Sequence, residues 1–160
     1  MSHRLAPPMS NVVRMRHASI ALIAALANGL LSSSTHAADE AKLEETANCI
    51  ALMQTTADEL ARQIKAGDTV REPALRTELT LAGALIARTY IEGLRDGDEA
   101  KARLKAAHER QATWDLERKQ SAHQACVKRA NAQLVSASAP ERYAASRFAE
   151  FRLKRMLRKK

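Results

Sequence analysis

Residues 43–64, with the sequence LEETANCIALMQTTADELARQI, decide the fold that this chain predicts. Apolar residues recur there every seven positions, with a second set interleaved: Leu43, Ile50, Ala57 and Ile64, then Met53 and Leu60. A stripe of this spacing is typical of a helix that packs lengthwise in a bundle or coiled coil. Because Gly67 is a natural C-terminal stop, the stripe predicts a helix over 39–66.

The rest of the chain is also patterned for helices. Only 3% of the residues are aromatic, while Ala, Leu, Glu, Arg and Lys are abundant, a composition that favours helix nearly throughout. Pro73, the RDGD turn and the capping box Ser138-x-x-Glu141 mark further boundaries. We therefore predict an all-α fold, a small bundle of about four or five antiparallel helices. The predicted helices are 39–66, 73–95, 98–110, 113–136 and 139–157.

The second of these helices is predicted to lie at the centre of the bundle. Its core stretch, LTLAGALIA at 79–87, is apolar on more than one face. Gly83 interrupts this stretch at a cost of ~1 kcal/mol in helix propensity. Close approach of a neighbouring helix is the expected reason for that glycine.

The two cysteines, Cys49 and Cys126, predict a disulfide that cross-links the bundle. On one straight helix from 98 to 136, Cys126 would lie about 40 Å along the bundle and Cys49 about 15 Å, at ~1.5 Å per residue. A disulfide needs an approach of about 5.5 Å between Cα atoms. The pair therefore predicts a turn near 109–113, with Trp114 packing at the corner, and two unpaired thiols are the alternative.

Residues 1–37 have the organisation of a cleavable export signal. Arginines precede an apolar stretch at 18–31, and a polar run then ends in a plausible cleavage site at 35–37. The apolar stretch is short for a transmembrane helix, so an uncleaved membrane anchor is the less favoured alternative. The mature chain is predicted to be a single helical domain over 38–160, periplasmic or secreted, with the true start methionine left open.

Charge is unevenly distributed along the predicted mature chain. Residues 38–100 carry 13 acids and 7 bases, whereas residues 101–160 carry 5 acids and 16 bases. This polarity favours either antiparallel packing of opposite charges or a basic face for a partner.

The C-terminal stretch, RFAEFRLKRMLRKK at 147–160, is the candidate contact site. We predict that Tyr143, Phe148 and Phe151 face the bundle and that the tail cations project outward. The residues predicted to contact anions or a membrane surface are Arg152, Lys154, Arg155, Arg158, Lys159 and Lys160. The alternative is an ordinary helix end whose cations complement the helix dipole.

No pattern in the chain indicates catalysis or a cofactor. There is no recognisable Ser/His/Asp or Cys/His arrangement and no glycine loop that cradles phosphate, so the chain is predicted not to be an enzyme. His108 and His123 lack zinc-finger spacing, and neither a metal nor another cofactor is predicted. A bundle that holds haem or metal through His108, His123 or Met53 is the least favoured hypothesis.

The sequence therefore predicts a non-enzymatic binding or chaperone-like protein that uses its basic C-terminal surface toward anionic envelope lipids or client proteins. The chain is similar in size, charge and helicity to small cationic periplasmic chaperones, but Leu79-Thr80-Leu81-Ala82 departs from their Leu-Thr-x-x-Gln motif. A structural subunit that pairs through the first-helix heptads, in a homo-oligomer or with another chain, is the alternative. Nucleic acid is not an expected partner of an exported protein.

Overall fold

A computed structural model describes residues 15–92 and 96–158 of the chain. Within these residues every regular element is helical, which confirms the predicted all-α class. The α helices are α1 (Met15–Lys65), α2 (Glu72–Ile91), α3 (Gly97–Ala112), α4 (Leu116–Ser136) and α5 (Ala139–Leu157). The chain divides into two units, Met1–Ala41 and Lys42–Lys160, and the bundle is the second of them.

The predicted export signal falls partly outside the described residues. Residues 1–14 are not described, and the described remainder of the signal, from Met15, belongs to α1, so this helix begins well before the predicted start at residue 39. Within the described ranges, no helix combines the length and the apolar character that crossing a membrane requires.

The helix boundaries follow from local hydrogen bonding. Gly67 ends α1 with a φ of 115°, a left-handed conformation that glycine adopts at little cost. The Asp68 backbone N–H donates to the Gln63 carbonyl at 3.0 Å, and Gly67 N–H donates to the Ile64 carbonyl at 3.0 Å. These two bonds form a Schellman motif, which satisfies carbonyls that the helix end would leave unpaired.

Helix α2 is shorter than the sequence predicts. It ends at Ile91 rather than at residue 95, and residues 93–95 lie outside the described part of the chain. Helix α3 begins earlier than predicted, at Gly97, because the Asp96 carboxylate accepts the Asp98 backbone N–H at 2.8 Å and so caps the helix.

The turn expected from the cysteine positions exists between α3 and α4, but it lies at 113–115 rather than at the predicted 109–113. Helix α3 ends at Ala112, and α4 starts at Leu116 after Asp115, whose carboxylate accepts the Arg118 backbone N–H at 2.7 Å. Trp114 lies at this corner, half-buried against the core, with the Arg118 guanidinium 4.5 Å from its ring centre. The start of α5 is also as predicted, because Glu141 accepts the Ser138 backbone N–H at 2.7 Å in a capping box.

Two apolar clusters form the core of the bundle. The first surrounds the disulfide and consists of Cys49, Ile50, Leu52, Met53, Leu81, Ala82, Leu85, Cys126 and Ala130. The second joins α1, α2 and α5 and consists of Ala57, Leu60, Ala61, Leu75, Leu79, Ala149 and Leu153. The heptad stripe of α1 thus packs mainly inside the bundle. The alternative hypothesis of a structural subunit had assigned this stripe to contacts with a partner chain. Leu43 and Ile64, at the ends of the stripe, are half-buried.

The disulfide joins the C-terminal half of α1 to the middle of α4. Cys49 and Cys126 have their Cα atoms 5.2 Å apart and their sulfurs 2.05 Å apart, which confirms the predicted pairing. Both residues are buried, 4% and 6% exposed respectively. The reversal of the chain after α3 is what brings Cys126 back to the level of Cys49.

Helices α2 and α5 pack very closely. A Cβ atom placed on Gly83 would lie 3.0 Å from the carbonyl oxygen of Ala145 and 3.1 Å from a ring carbon of Phe148. The glycine therefore marks a close helix crossing, as the sequence predicts. Pro140, in the first turn of α5, and Ile91, at the end of α2, line the same groove, so the two helices run antiparallel.

Candidate functional site

The inward face of α5 is built from small residues. Ala145 and Ala149 are buried against the bundle at successive turns, followed by Leu153. Their spacing of four residues places them on one side of the helix. This narrow contact brings α5 against α2 and turns the larger side chains of the helix away from the core.

The outward face of α5 carries the aromatic residues that the sequence analysis assigned to the core. Tyr143 is 68% exposed and Phe151 is 65% exposed, so the prediction that they face the bundle is wrong. Phe148 is half-buried and packs beside Gly83, as predicted. The reason is steric: where α5 crosses α2 at Gly83, the space at position 145 admits alanine and excludes an aromatic ring.

Cations surround Phe151 on the same outward face. Arg147, Lys154, Arg155 and Arg158 are exposed, and their positions in the helix place them within about a quarter turn of Phe151. Arg147 pairs with Glu150 at 2.9 Å. Among the described residues, Lys154, Arg155 and Arg158 form no ion pair. We call Tyr143, Arg147, Phe151, Lys154, Arg155 and Arg158 the outer face of α5.

Three of the predicted contact residues do not belong to the outer face as the structure describes it. Arg152 does not project outward with the other cations: it is half-buried, and its side chain lines a groove between α5 and α1. Its position in the helix turns it away from Phe151 and toward the bundle. Lys159 and Lys160 lie outside the described residues. The structure thus places Lys154 and Arg158 on the outer face alone, Arg152 in the groove, and Arg155 at the edge between the outer face and the groove.

Opposite charges neutralise each other elsewhere in the bundle. Arg110 of α3 lies 3.0 Å from Glu44 of α1, and Arg129 of α4 pairs with the neighbouring Glu45. The acidic first half of the chain therefore packs against the basic second half. This is the first of the two explanations that the uneven charge distribution suggested, the packing of opposite charges against each other. That neutralisation involves α3 and α4, so the outer face of α5 retains its positive charge.

His108 and His123 each form a hydrogen bond to a neighbouring helix. His123 Nε2 lies 3.1 Å from the Glu78 carboxylate, which raises the pKa of His123 above its usual value through that hydrogen bond. His108 Nε2 lies 3.4 Å from Gln54 Oε1, and Met53 is fully buried in the core. In the part of the chain that the structure describes, no three His, Cys, Asp or Glu side chains cluster as metal ligands would.

Comparison with known protein families, with curated proteins and with solved structures finds no match to this chain. The candidate site is therefore defined by this chain's own residues. An exposed aromatic ring within a ring of cations is suited to an interface that is apolar on one side and anionic on the other. At such an interface the aromatic ring is removed from water into the apolar layer, and the cations lie close to the anionic groups.

Proposed function

We propose that this protein is a non-enzymatic binding protein of the cell envelope that contacts anionic lipid surfaces through the outer face of α5. The observation that carries the proposal is the exposure of Phe151 among Lys154, Arg155 and Arg158, which form no ion pair with a described residue. A basic helix face with exposed aromatic residues is typical of helices that lie at a membrane interface.

The expected contact combines two modest contributions. Each cation near an anionic lipid surface contributes about 1 kcal/mol, which falls as salt screens the charge. Burial of the exposed part of the Phe151 ring contributes a further ~1–2 kcal/mol. Anchoring by Ala145, Ala149 and Leu153 holds the helix in place beforehand, so little conformational entropy is lost on binding.

Vesicle binding tests this proposal directly. We expect the protein to sediment with phosphatidylglycerol vesicles, not with phosphatidylcholine vesicles, and to dissociate as NaCl rises from about 50 to about 500 mM. The double variant Phe151→Ala, Lys154→Gln removes one ring and one charge from the outer face. We expect at least about tenfold weaker binding, because the two lost contributions together exceed ~1.4 kcal/mol.

A matched control comes from α4. Val135→Ala with Lys128→Gln removes an exposed apolar side chain and an exposed cation from that helix, and should leave vesicle affinity unchanged. Substitution is preferable to truncation after Ala149, because truncation would also remove Leu153 from the core. Equal affinities for the α5 variant and wild type would refute the proposal, and binding to an acidic protein but not to vesicles would assign the outer face to client proteins.

The compartment we propose is the periplasm, after cleavage near Ala37. The disulfide supports this, because structural disulfides persist in oxidising compartments. We expect protein recovered from its native cell to have the non-reduced mass of residues 38–160 less the two hydrogens lost in forming the disulfide. A full-length mass with free thiols would contradict export and would make nucleic acid a candidate partner of the tail.

A further inference from the structure

A groove of about 400 Å³ lies between the C-terminal parts of α1 and α5. Its charged lining residues are Asp58, Arg62, Lys65, Arg152 and Arg155. The volume falls in the range of small-molecule sites in proteins, so the groove admits a small anionic group together with the first atoms attached to it.

The groove is strongly cationic even after its ion pairs are counted. Arg62 pairs with Glu59, whereas Lys65, Arg152 and Arg155 form no ion pair with any described residue. Four cations against the two acids Asp58 and Glu59 leave a local charge of 4 − 2 = +2. Several cations that line a concave site attract a multiply charged anion more strongly than the same cations would on an open surface.

Arg152 supplies a second, independent observation, a donor without a partner beside the groove. Its Nε atom is buried and has no hydrogen-bond partner among the described residues. Burial of a guanidinium N–H without a partner is costly, and a shift of the Arg152 side chain that brings this N–H to an acceptor in the groove would remove that cost. The helix dipole does not explain this residue, because the last turn of α5 holds Lys154 and Arg155 while Arg152 precedes it.

We propose that this groove binds a phosphate monoester, with Arg152 as the residue that recognises it. A phosphate monoester carries about −1.5 to −2 charges near neutral pH, which matches the local +2. A guanidinium presents its N–H groups as a planar fork that bonds two phosphate oxygens at once. If the phosphate belongs to a lipid headgroup, this proposal rests on the proposed function, the contact of the outer face with lipid. It then adds the headgroup that the groove recognises.

Titration calorimetry with inorganic phosphate tests the groove without any membrane. We expect Arg152→Gln to bind phosphate at least about tenfold more weakly than wild type, a difference of ~1.4 kcal/mol. Lys128→Gln on α4 makes the same change in net charge and should bind phosphate as wild type does. Arg152→Lys keeps the positive charge but lacks the planar guanidinium. Its affinity for phosphate should lie between those of wild type and Arg152→Gln. Equal phosphate affinity for Arg152→Gln and wild type would overturn the proposal.

Vesicles distinguish the two sources of the phosphate. Wild type should prefer vesicles that contain phosphatidic acid, a phosphomonoester, to vesicles of equal surface charge that contain phosphatidylglycerol, a phosphodiester. Arg152→Gln should lose this preference while still binding both through the outer face. Phosphate binding by wild type without that preference would uphold the groove and assign it to soluble phosphate esters.

The groove and the outer face can fail separately. Phe151→Ala with Lys154→Gln should bind vesicles at least about tenfold more weakly and keep its affinity for inorganic phosphate, because neither residue lines the groove. If this variant keeps vesicle binding, the proposed function fails and the groove stands. If Arg152→Gln keeps phosphate binding, the groove fails and the proposed function stands.

Discussion

Reduction of the Cys49–Cys126 disulfide is expected to lower the free energy of unfolding by about 4 kcal/mol. The bond closes a loop across 77 positions, and the chain-entropy model gives about 4.5 kcal/mol for a loop of that length. Domains of this size are commonly stable by only about 5–15 kcal/mol in total. The reduced protein should therefore unfold at a much lower urea concentration than the oxidised protein, which equilibrium denaturation followed by circular dichroism would measure.

Two forms of the protein separate the cross-link from the packing of its sulfurs. Reduced wild type keeps both side chains, so its loss of stability reports the cross-link alone. Cys49→Ala with Cys126→Ala also removes buried sulfur atoms from the core cluster, and should be less stable than reduced wild type by a further ~1–2 kcal/mol. If reduction lowers the free energy of unfolding by less than about 1 kcal/mol, the disulfide does not constrain the unfolded chain as the chain-entropy model assumes.

Replacement of Gly83 by leucine is expected to destabilise the protein by about 3 kcal/mol, near the upper end of the usual cost of overpacking. The Cβ atom alone would meet the Ala145 carbonyl oxygen at 3.0 Å, and backbone atoms of a packed helix cannot rotate aside. The rest of the leucine side chain must then separate α2 from α5. Urea denaturation would measure the loss, and Ala74→Leu, on the exposed side of α2, should cost little.

Gly83→Ala is a useful intermediate case. Alanine gains ~1 kcal/mol of helix propensity over glycine, which opposes the cost of the close Cβ contact. The two effects are of similar size, so a change of less than about 1 kcal/mol is expected. A Gly83→Leu protein as stable as wild type would contradict the close crossing of α2 and α5.

Most of the helical architecture was predictable because its signals are local. The α1 stripe, Gly67 and the Ser138 capping box act within a few residues of the positions they determine. The turn before Asp115 was predictable in a different way, since no glycine or proline marks it. There the disulfide distance supplied the signal, and Asp115 as an N-cap is the local feature that could have placed the turn two or three residues more accurately.

The candidate site was predictable in composition but not in orientation. The sequence shows that α5 is basic and contains aromatic residues, yet hydrophobicity alone assigned Tyr143 and Phe151 to the core. The deciding fact is the distance between α2 and α5, which depends on Gly83 and on the alanines opposite it. The repeat of alanine at 145 and 149 was the available signal, because small residues at this spacing mark a close helix contact.

Because of its position, the disulfide does not stabilise all parts of the bundle equally. The covalent loop from Cys49 to Cys126 encloses α2 and α3, whereas α5 lies beyond it. A cross-link of this kind acts on the unfolded ensemble of the residues it encloses. It therefore opposes global unfolding, but it adds nothing against a partial opening in which α5 detaches while the enclosed helices stay folded. The helix that carries the proposed contact surface is thus held by non-covalent packing alone.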